Sequence, residues 1–266
     1  MKTLRLYQLD AFADRLFAGN PAAVVPLDAM LDDTLMQAIA LENNLAETAF
    51  FAPEGEGFRL RWFTPAAEVP LCGHATLASA RVVFDHLRPA AKRVDFETLS
   101  GRLTVTREDG SDLLSMDFPA VPSQAAPPPA GFEAMLGGGP IGACLASARN
   151  LIAVYDRAKT VRDLAPDLGA IAKLDKQGVI VTAPGDAGFD CVSRYFAPRV
   201  GVPEDPVTGS AHCALIPYWA GRLGQRDIRA FQASARGGAV LGRHMENGRV
   251  RLTGRCQPYL EGTIRV

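Results

Sequence analysis

The chain has 266 residues, 48% of them hydrophobic, enough to bury one large core or two modest ones. Its 28 basic and 29 acidic side chains leave a formal net charge of −1, spread evenly, which gives no electrostatic reason to bind nucleic acid or an anionic membrane. The first ten residues are too often interrupted by charge for a signal-peptide core, no run of about 18 apolar residues suggests a membrane span, and the expected location is the cytoplasm.

Alternation of apolar and polar residues predicts a strand over Leu4 to Leu9, followed by Asp10-Ala11-Phe12, Gly19-Asn20-Pro21-Ala22 and a strand over Ala22 to Val25. A helix is expected from Asp32 to Asn44, with Leu35, Met36, Ile39 and Ala40 at helical spacing. Glu47 follows, embedded in Leu45-Ala46-Glu47-Thr48-Ala49-Phe50-Phe51, where a functional carboxylate and an exposed helix-end glutamate are both open readings. Next come a strand over Phe58 to Phe63, the landmark Arg61-Trp62-Phe63-Thr64-Pro65, and Val69-Pro70. Cys72-Gly73-His74-Ala75-Thr76-Leu77-Ala78-Ser79-Ala80 opens a helix apolar nearly all round, hence buried. Short strands over Arg93 to Glu97, Leu103 to Arg107 and Leu114 to Phe118 complete the first half.

The second half repeats this order. Arg194-Tyr195-Phe196-Ala197-Pro198 restates the aromatic landmark at an offset of 133 residues, and Asn150 lies on Asn20 at an offset of 130. The helix matching the first is expected over Val161 to Leu174. Thr208-Gly209-Ser210-Ala211-His212-Cys213 opens a second buried helix. Between the halves, residues 123–131 are rich in proline and small residues and suit a linker. The expected division is therefore an N-terminal lobe over 1–122, completed by the last strand near 257–266, and a C-terminal lobe over 132–256.

If both helix starts face a cleft between the halves, their free N–H groups and positive dipole ends make an anion site, most naturally for a carboxylate. Gly73 and Gly209 stand at matching positions in those turns. An unsymmetrical substrate needs unlike groups on its two sides, so differences between the copies mark the chemistry. Glu47 is answered by Gly178; Glu204-Asp205-Pro206 reads as three extra residues in the later copy; and Cys72 and His74 are answered by Thr208 and Ser210. Asp205 is also a natural helix cap, His74 a natural structural histidine, and Cys72 a natural small buried hydrophobe.

The five cysteines, Cys72, Cys144, Cys191, Cys213 and Cys256, are odd in number, widely spaced and read as reduced thiols. With four histidines and no zinc-type spacing, no metal is expected, and a metal site would have to be assembled without a local signature. A hydrolase built on Cys72 and His74 is disfavoured because residues two apart at a helix start point in different directions.

Four stretches in order, Asp10-Ala11-Phe12 with Gly19-Asn20-Pro21-Ala22, Asn44-Leu45-Ala46-Glu47-Thr48-Ala49-Phe50, Leu71-Cys72-Gly73-His74-Ala75, and Phe196-Ala197-Pro198 running into Glu204-Asp205-Pro206-Val207-Thr208-Gly209-Ser210-Ala211, resemble the phenazine-biosynthesis isomerase (PhzF-like) family. The resemblance implies a mixed α/β (α+β) diaminopimelate epimerase-like fold: two pseudo-symmetric domains, each a barrel-like, mostly antiparallel sheet around a central helix. It also implies a homodimer, and an isomerase that moves a proton between carbons of a small carboxylate-bearing metabolite without a cofactor. By that resemblance Glu47 is the general acid/base, and His74, Asp205 and Ser210 hold the substrate and assist. Gly73 and Gly209, beside Cys72 and Thr208, receive the substrate carboxylate. Related epimerases use one thiol from each helix start; with Thr208 opposite Cys72, a two-thiol racemase is disfavoured. An epimerase or racemase using Cys72 alone, and a non-catalytic binding protein, are the remaining alternatives.

Overall fold

A computed structural model describes residues 1–266, which divide into two compact units, residues 1–117 with 253–266 and residues 118–252. In chain order the elements are β1 (Thr3–Ala11), β2 (Asn20–Pro26), α1 (Asp33–Asn43), β3 (Glu47–Glu54), β4 (Gly57–Phe63), β5 (Glu68–Val69), α2 (Gly73–Val82), β6 (Arg93–Thr98), β7 (Gly101–Arg107), β8 (Leu114–Pro119), β9 (Gln124–Ala125), α3 (Phe132–Leu136), β10 (Ala143–Ala146), β11 (Asn150–Val154), α4 (Ala158–Asp163), α5 (Leu168–Ile171), β12 (Gly178–Pro184), β13 (Cys191–Phe196), α6 (Gly209–Leu223), β14 (Asp227–Gln232), β15 (Gly238–His244), β16 (Arg249–Gly254) and β17 (Cys256–Arg265).

In the first unit β1 pairs antiparallel with both β17 and β2, β2 parallel with β3, β3 antiparallel with β4, β4 parallel with β6, and β6 antiparallel with β7. β2 is central and covered on both faces, so its Ala22-Ala23-Val24-Val25 run is continuously apolar. One face receives α1, whose Met36, Ile39 and Ala40 pack with Leu4, Leu6, Val25, Phe50 and Phe63. Asp32 caps α1 by accepting the Leu35 N–H at 2.9 Å, and Asn44 closes it in the left-handed conformation. Helix α2 packs on β1, β2 and β3, with every residue from His74 to Ala80 buried.

The second unit repeats the ladder: β10–β11 antiparallel, β11–β12 parallel, β12–β13 antiparallel, β13–β14 parallel and β14–β15 antiparallel. Helix α6 packs on β14 and β15. Pairing also corrects the sequence alignment. Ala22 lies opposite Glu47, whereas Asn150 lies opposite Gly178, so the Asn20 and Asn150 match slips by two residues. The single helix expected over Val161 to Leu174 is two short ones, because Pro166 has no N–H to continue it and holds the preceding residue out of helical geometry. Part of the expected linker is paired too, Gln124 and Ala125 lying against Ala146 and Leu145 of β10.

The extra residues of the second copy are not Glu204-Asp205-Pro206. Arg61 grips Glu68 through two hydrogen bonds of 2.7 and 2.8 Å, and Arg194 grips Glu204 in the same way at 2.7 and 2.9 Å. Val69 pairs with Trp62, and the Asp205 N–H donates to the carbonyl of Tyr195 at 3.0 Å. Glu204 therefore answers Glu68, Asp205 answers Val69 and Thr208 answers Cys72. The three extra residues fall instead within 199–203, the stretch that begins in the 3-10 turn at Pro198–Val200 and ends before Glu204. Val69-Pro70 and Val202-Pro203 share a sequence but not a place in the fold.

Gly19 has φ +67°, and an added Cβ would stand 2.2 Å from the Ala11 carbonyl oxygen, so only glycine permits the tight return from β1 to β2. Gly19→Ala is expected to lower stability by about 2 kcal/mol or more, measured as a shift in urea midpoint at unchanged slope.

Candidate active site

Glu47 is the first residue of β3 and His74 the second of α2. Their side chains meet: His74 Nε2 is 3.1 Å from Glu47 Oε2, a charge-pair distance, although the angles leave neither atom with a hydrogen bond. The other ring nitrogen, Nδ1, lies 3.5 Å from Cys72 Sγ. This overturns the expectation that Cys72 and His74 diverge. Cys72 is not on the helix but is its N-cap, with extended backbone (φ −144°, ψ 110°), which turns its side chain toward His74. His74 and Cys72 are buried, while the Glu47 side chain keeps 18% of its exposure and is the open end of the row.

Burial disfavours a charged imidazole, but the Cys72 sulfur and the Glu47 carboxylate on its two sides outweigh it and raise His74 well above the ordinary histidine range. Burial, helped by the Glu47 charge, pushes the Cys72 thiol up, with His74 opposing. The three residues also offer sulfur, nitrogen and oxygen atoms within 4.8 Å of one another, a donor set of the kind that can hold a metal ion and that sequence spacing does not signal.

No side chain caps the start of α2, so its first-turn N–H groups are not taken up by a capping side chain. The same holds in the second unit, where Thr208 is the N-cap of α6, Gly209 its first residue and Ser210 an exposed residue of its first turn. Asp205 does not cap that helix. Its carboxylate accepts the Thr208 hydroxyl at 2.5 Å.

At the position answering Glu47, a carboxylate has no room in the second unit. A Cβ on Gly178 would stand 2.5 Å from the Tyr195 hydroxyl oxygen, which itself donates to Asn150 Oδ1 at 3.2 Å. The one-sided acid seen in sequence is thus enforced by packing.

Sequence reasoning missed Gln232. Fully buried at the end of β14, it accepts the Thr208 N–H at 2.8 Å and donates to the Asp205 carbonyl at 2.7 Å and the Thr208 hydroxyl at 3.1 Å. The signal was present, since Ile228, Ala230 and Gln232 alternate on the covered face of the strand. His212 was passed over as well. Fully buried, it donates from Nδ1 to the Thr208 carbonyl at 2.8 Å, and burial lowers its pKa to about 4.

The chain matches the family model for phenazine biosynthesis-like protein (PhzC-PhzF) over residues 9–262. It is 49% identical to a protein of Pseudomonas aeruginosa described as an uncharacterized isomerase, over 99% of both chains. It is 40% identical to the human phenazine biosynthesis-like domain-containing protein, over 98% of this chain and 99% of that one. A crystal structure of a PhzF-family protein from Enterococcus faecalis superposes with a TM-score of 0.95 at 42% identity, over the whole of both chains. A hydroxyproline epimerase from Agrobacterium vitis shares the fold alone, at a TM-score of 0.63 and 12% identity over 99% of this chain and 91% of that one. Fold and relatives together define an isomerase with the diaminopimelate epimerase-like architecture. Within that class, the chain belongs to the phenazine biosynthesis-like PhzC-PhzF family. No helix is long and apolar enough to cross a membrane.

Gln232→Ala strands the buried N–H of Thr208 and leaves a cavity, so a loss of about 2–4 kcal/mol is expected in urea unfolding, with faster hydrogen exchange at the Thr208 amide. The His212 pKa is lower folded than unfolded, so between about pH 6.5 and 4 the unfolded chain binds the extra proton. Stability from this group is full above that window and falls as pH drops through it, by about 3 kcal/mol in all. His212→Thr supplies the residue that the first copy has at this place, Thr76, and removes the titration; the wild-type advantage over it is expected to shrink on acidification from pH 7 to 4.5.

Proposed function

We propose that the protein moves a proton between carbons of a small carboxylate-bearing metabolite, with Glu47 as the general acid/base and no cofactor. The observation that carries this reading is the half-buried Glu47 carboxylate 3.1 Å from His74 Nε2, at the start of a helix whose N–H groups no side chain caps. Those N–H groups, beginning at Gly73, suit the substrate carboxylate. Glu47 takes a proton from one carbon and returns it to another, and His74 orients it. In the second unit Asp205, Ser210 and the N–H of Gly209 are assigned to substrate binding. The Asp205 to Thr208 bond and the three bonds of Gln232 support a fixed, preorganised position for them. A homodimer in the cytoplasm completes the reading.

One observation favours a second reading. Cys72 has His74 as a neighbour at 3.5 Å, the partner that a thiol base requires, which suits a single-thiol epimerase or racemase. Against it, the residue answering Cys72 is Thr208, whose hydroxyl is already donated to Asp205 and is far too weak an acid to mirror a thiol.

Incubation with candidate cyclic and amino acids in deuterium oxide, read by mass spectrometry, tests both. Glu47→Gln is expected to cut solvent deuterium uptake by about 100- to 10,000-fold with the melting temperature preserved. Asp205→Asn is expected to impair uptake into the same compound. Uptake that survives in Glu47→Gln but vanishes in Cys72→Ala transfers the assignment to the thiol.

A further inference from the structure

We propose that Cys72, His74 and Glu47 form a three-ligand site for a zinc-type divalent cation, and that the ion blocks the enzyme when it binds. The argument is geometric. With zinc bonds of roughly 2.3 Å to sulfur and 2.0–2.2 Å to nitrogen and oxygen, the edges of a tetrahedral site are roughly 3.3–3.6 Å long. The Cys72 Sγ to His74 Nδ1 edge is already 3.5 Å, and one donor atom from each of the three residues lies within 4.8 Å of the others. The remaining adjustment falls on Glu47, the least enclosed of the three, whose carboxylate turns about its own side-chain bonds.

Two further features point to a ligand. Glu47 Oε2 and His74 Nε2 are buried and face each other at 3.1 Å as a charge contact without hydrogen-bond geometry, so a ligand on Glu47 replaces no directed hydrogen bond there. The donor set is also selective: one thiolate, one imidazole and one carboxylate suit Zn²⁺ or Co²⁺ and not Mg²⁺ or Ca²⁺, which take oxygen ligands. Coordination displaces the thiol proton of Cys72 and any proton on the ligating His74 nitrogen to solvent, and the fourth position stays open to water or a carboxylate. The positive end of α2 opposes a cation, and the thiolate and carboxylate charges offset it. An ion held this way occupies the carboxylate that the proposed proton transfer needs. The site itself stands whether or not Glu47 moves protons.

The test is optical and involves no turnover. Chelator-treated wild-type protein titrated with Co²⁺ is expected to develop a near-ultraviolet thiolate-to-cobalt charge-transfer band that saturates at one equivalent and is bleached by Zn²⁺ but not by Mg²⁺. Cys72→Ser is expected to abolish the band, Cys213→Ser to leave it, and Glu47→Gln to weaken binding by roughly 10- to 100-fold. Absence of the band in the wild type overturns the proposal, as does an equal band in Cys72→Ser. X-ray absorption on the zinc-loaded wild type decides independently of how any variant folds: one sulfur at roughly 2.3 Å supports the site, and a shell of nitrogen and oxygen alone overturns it.

Discussion

The position of Glu47 depends on a helix that has almost no free surface. Ala75, Ala78 and Ala80 let α2 lie close against β1, β2 and β3, and its two small polar residues turn inward on the helix itself, Thr76 to the Cys72 carbonyl and Ser79 to the Ala75 carbonyl. A helix enclosed in this way cannot shift along its axis without clashing. Its first turn is therefore fixed relative to β3, and His74 meets the first residue of that strand at a set distance. The cluster of Cys72, His74 and Glu47 is held by apolar packing more than by hydrogen bonds among its own members, since the facing atoms of His74 and Glu47 make a charge contact without hydrogen-bond geometry.

Duplication supplied the frame twice, and packing made the copies unlike. Tyr195 answers Trp62, and its ring fills the space where a side chain at position 178 would stand, so the second unit keeps glycine there. In exchange it gains Asp205 where the first unit has Val69. The exchange is local in each case: the guanidinium clamps Arg61 to Glu68 and Arg194 to Glu204 hold both loops at equivalent points, and the residue that follows the clamped glutamate is Val69 in one and Asp205 in the other. Acid is thus offered from the strand start in one unit and from the loop before the helix in the other.

Much of this was legible in the sequence because it rests on periodicity and on residue size. Strand alternation, the two small-residue helix starts and the repeat itself follow from patterns that burial imposes, and Glu47 against Gly178 emerged from laying the copies together. What failed depended on partners distant in sequence. The Val-Pro pair drew the insertion to the wrong side of Glu204, since only the bond from the Asp205 N–H to Tyr195 reveals which loop residue answers Val69. Pro166 was a visible break in the helix expected around it. The meeting of Cys72 with His74 needed the extended backbone of an N-cap, which spacing on a helical wheel does not represent. Gln232 was visible as a polar residue in an apolar alternation, but its purpose depends on a loop more than twenty residues upstream.

The two copies also separate mechanical roles from chemical ones. Each central helix has its N-cap carbonyl secured by the residue four places on, through the Thr76 hydroxyl at 2.5 Å in one unit and the His212 imidazole at 2.8 Å in the other. One task done by different groups marks a requirement of the fold, so His212, fully buried and held neutral, is a structural histidine. His74 is the converse. Its place in the second unit is taken by Ser210, an exposed residue that takes over none of its contacts with Cys72 and Glu47, and the frame stands regardless. His74 is thus a histidine that the scaffold does without in one copy and buries against a thiol and a carboxylate in the other, so the frame alone does not require it.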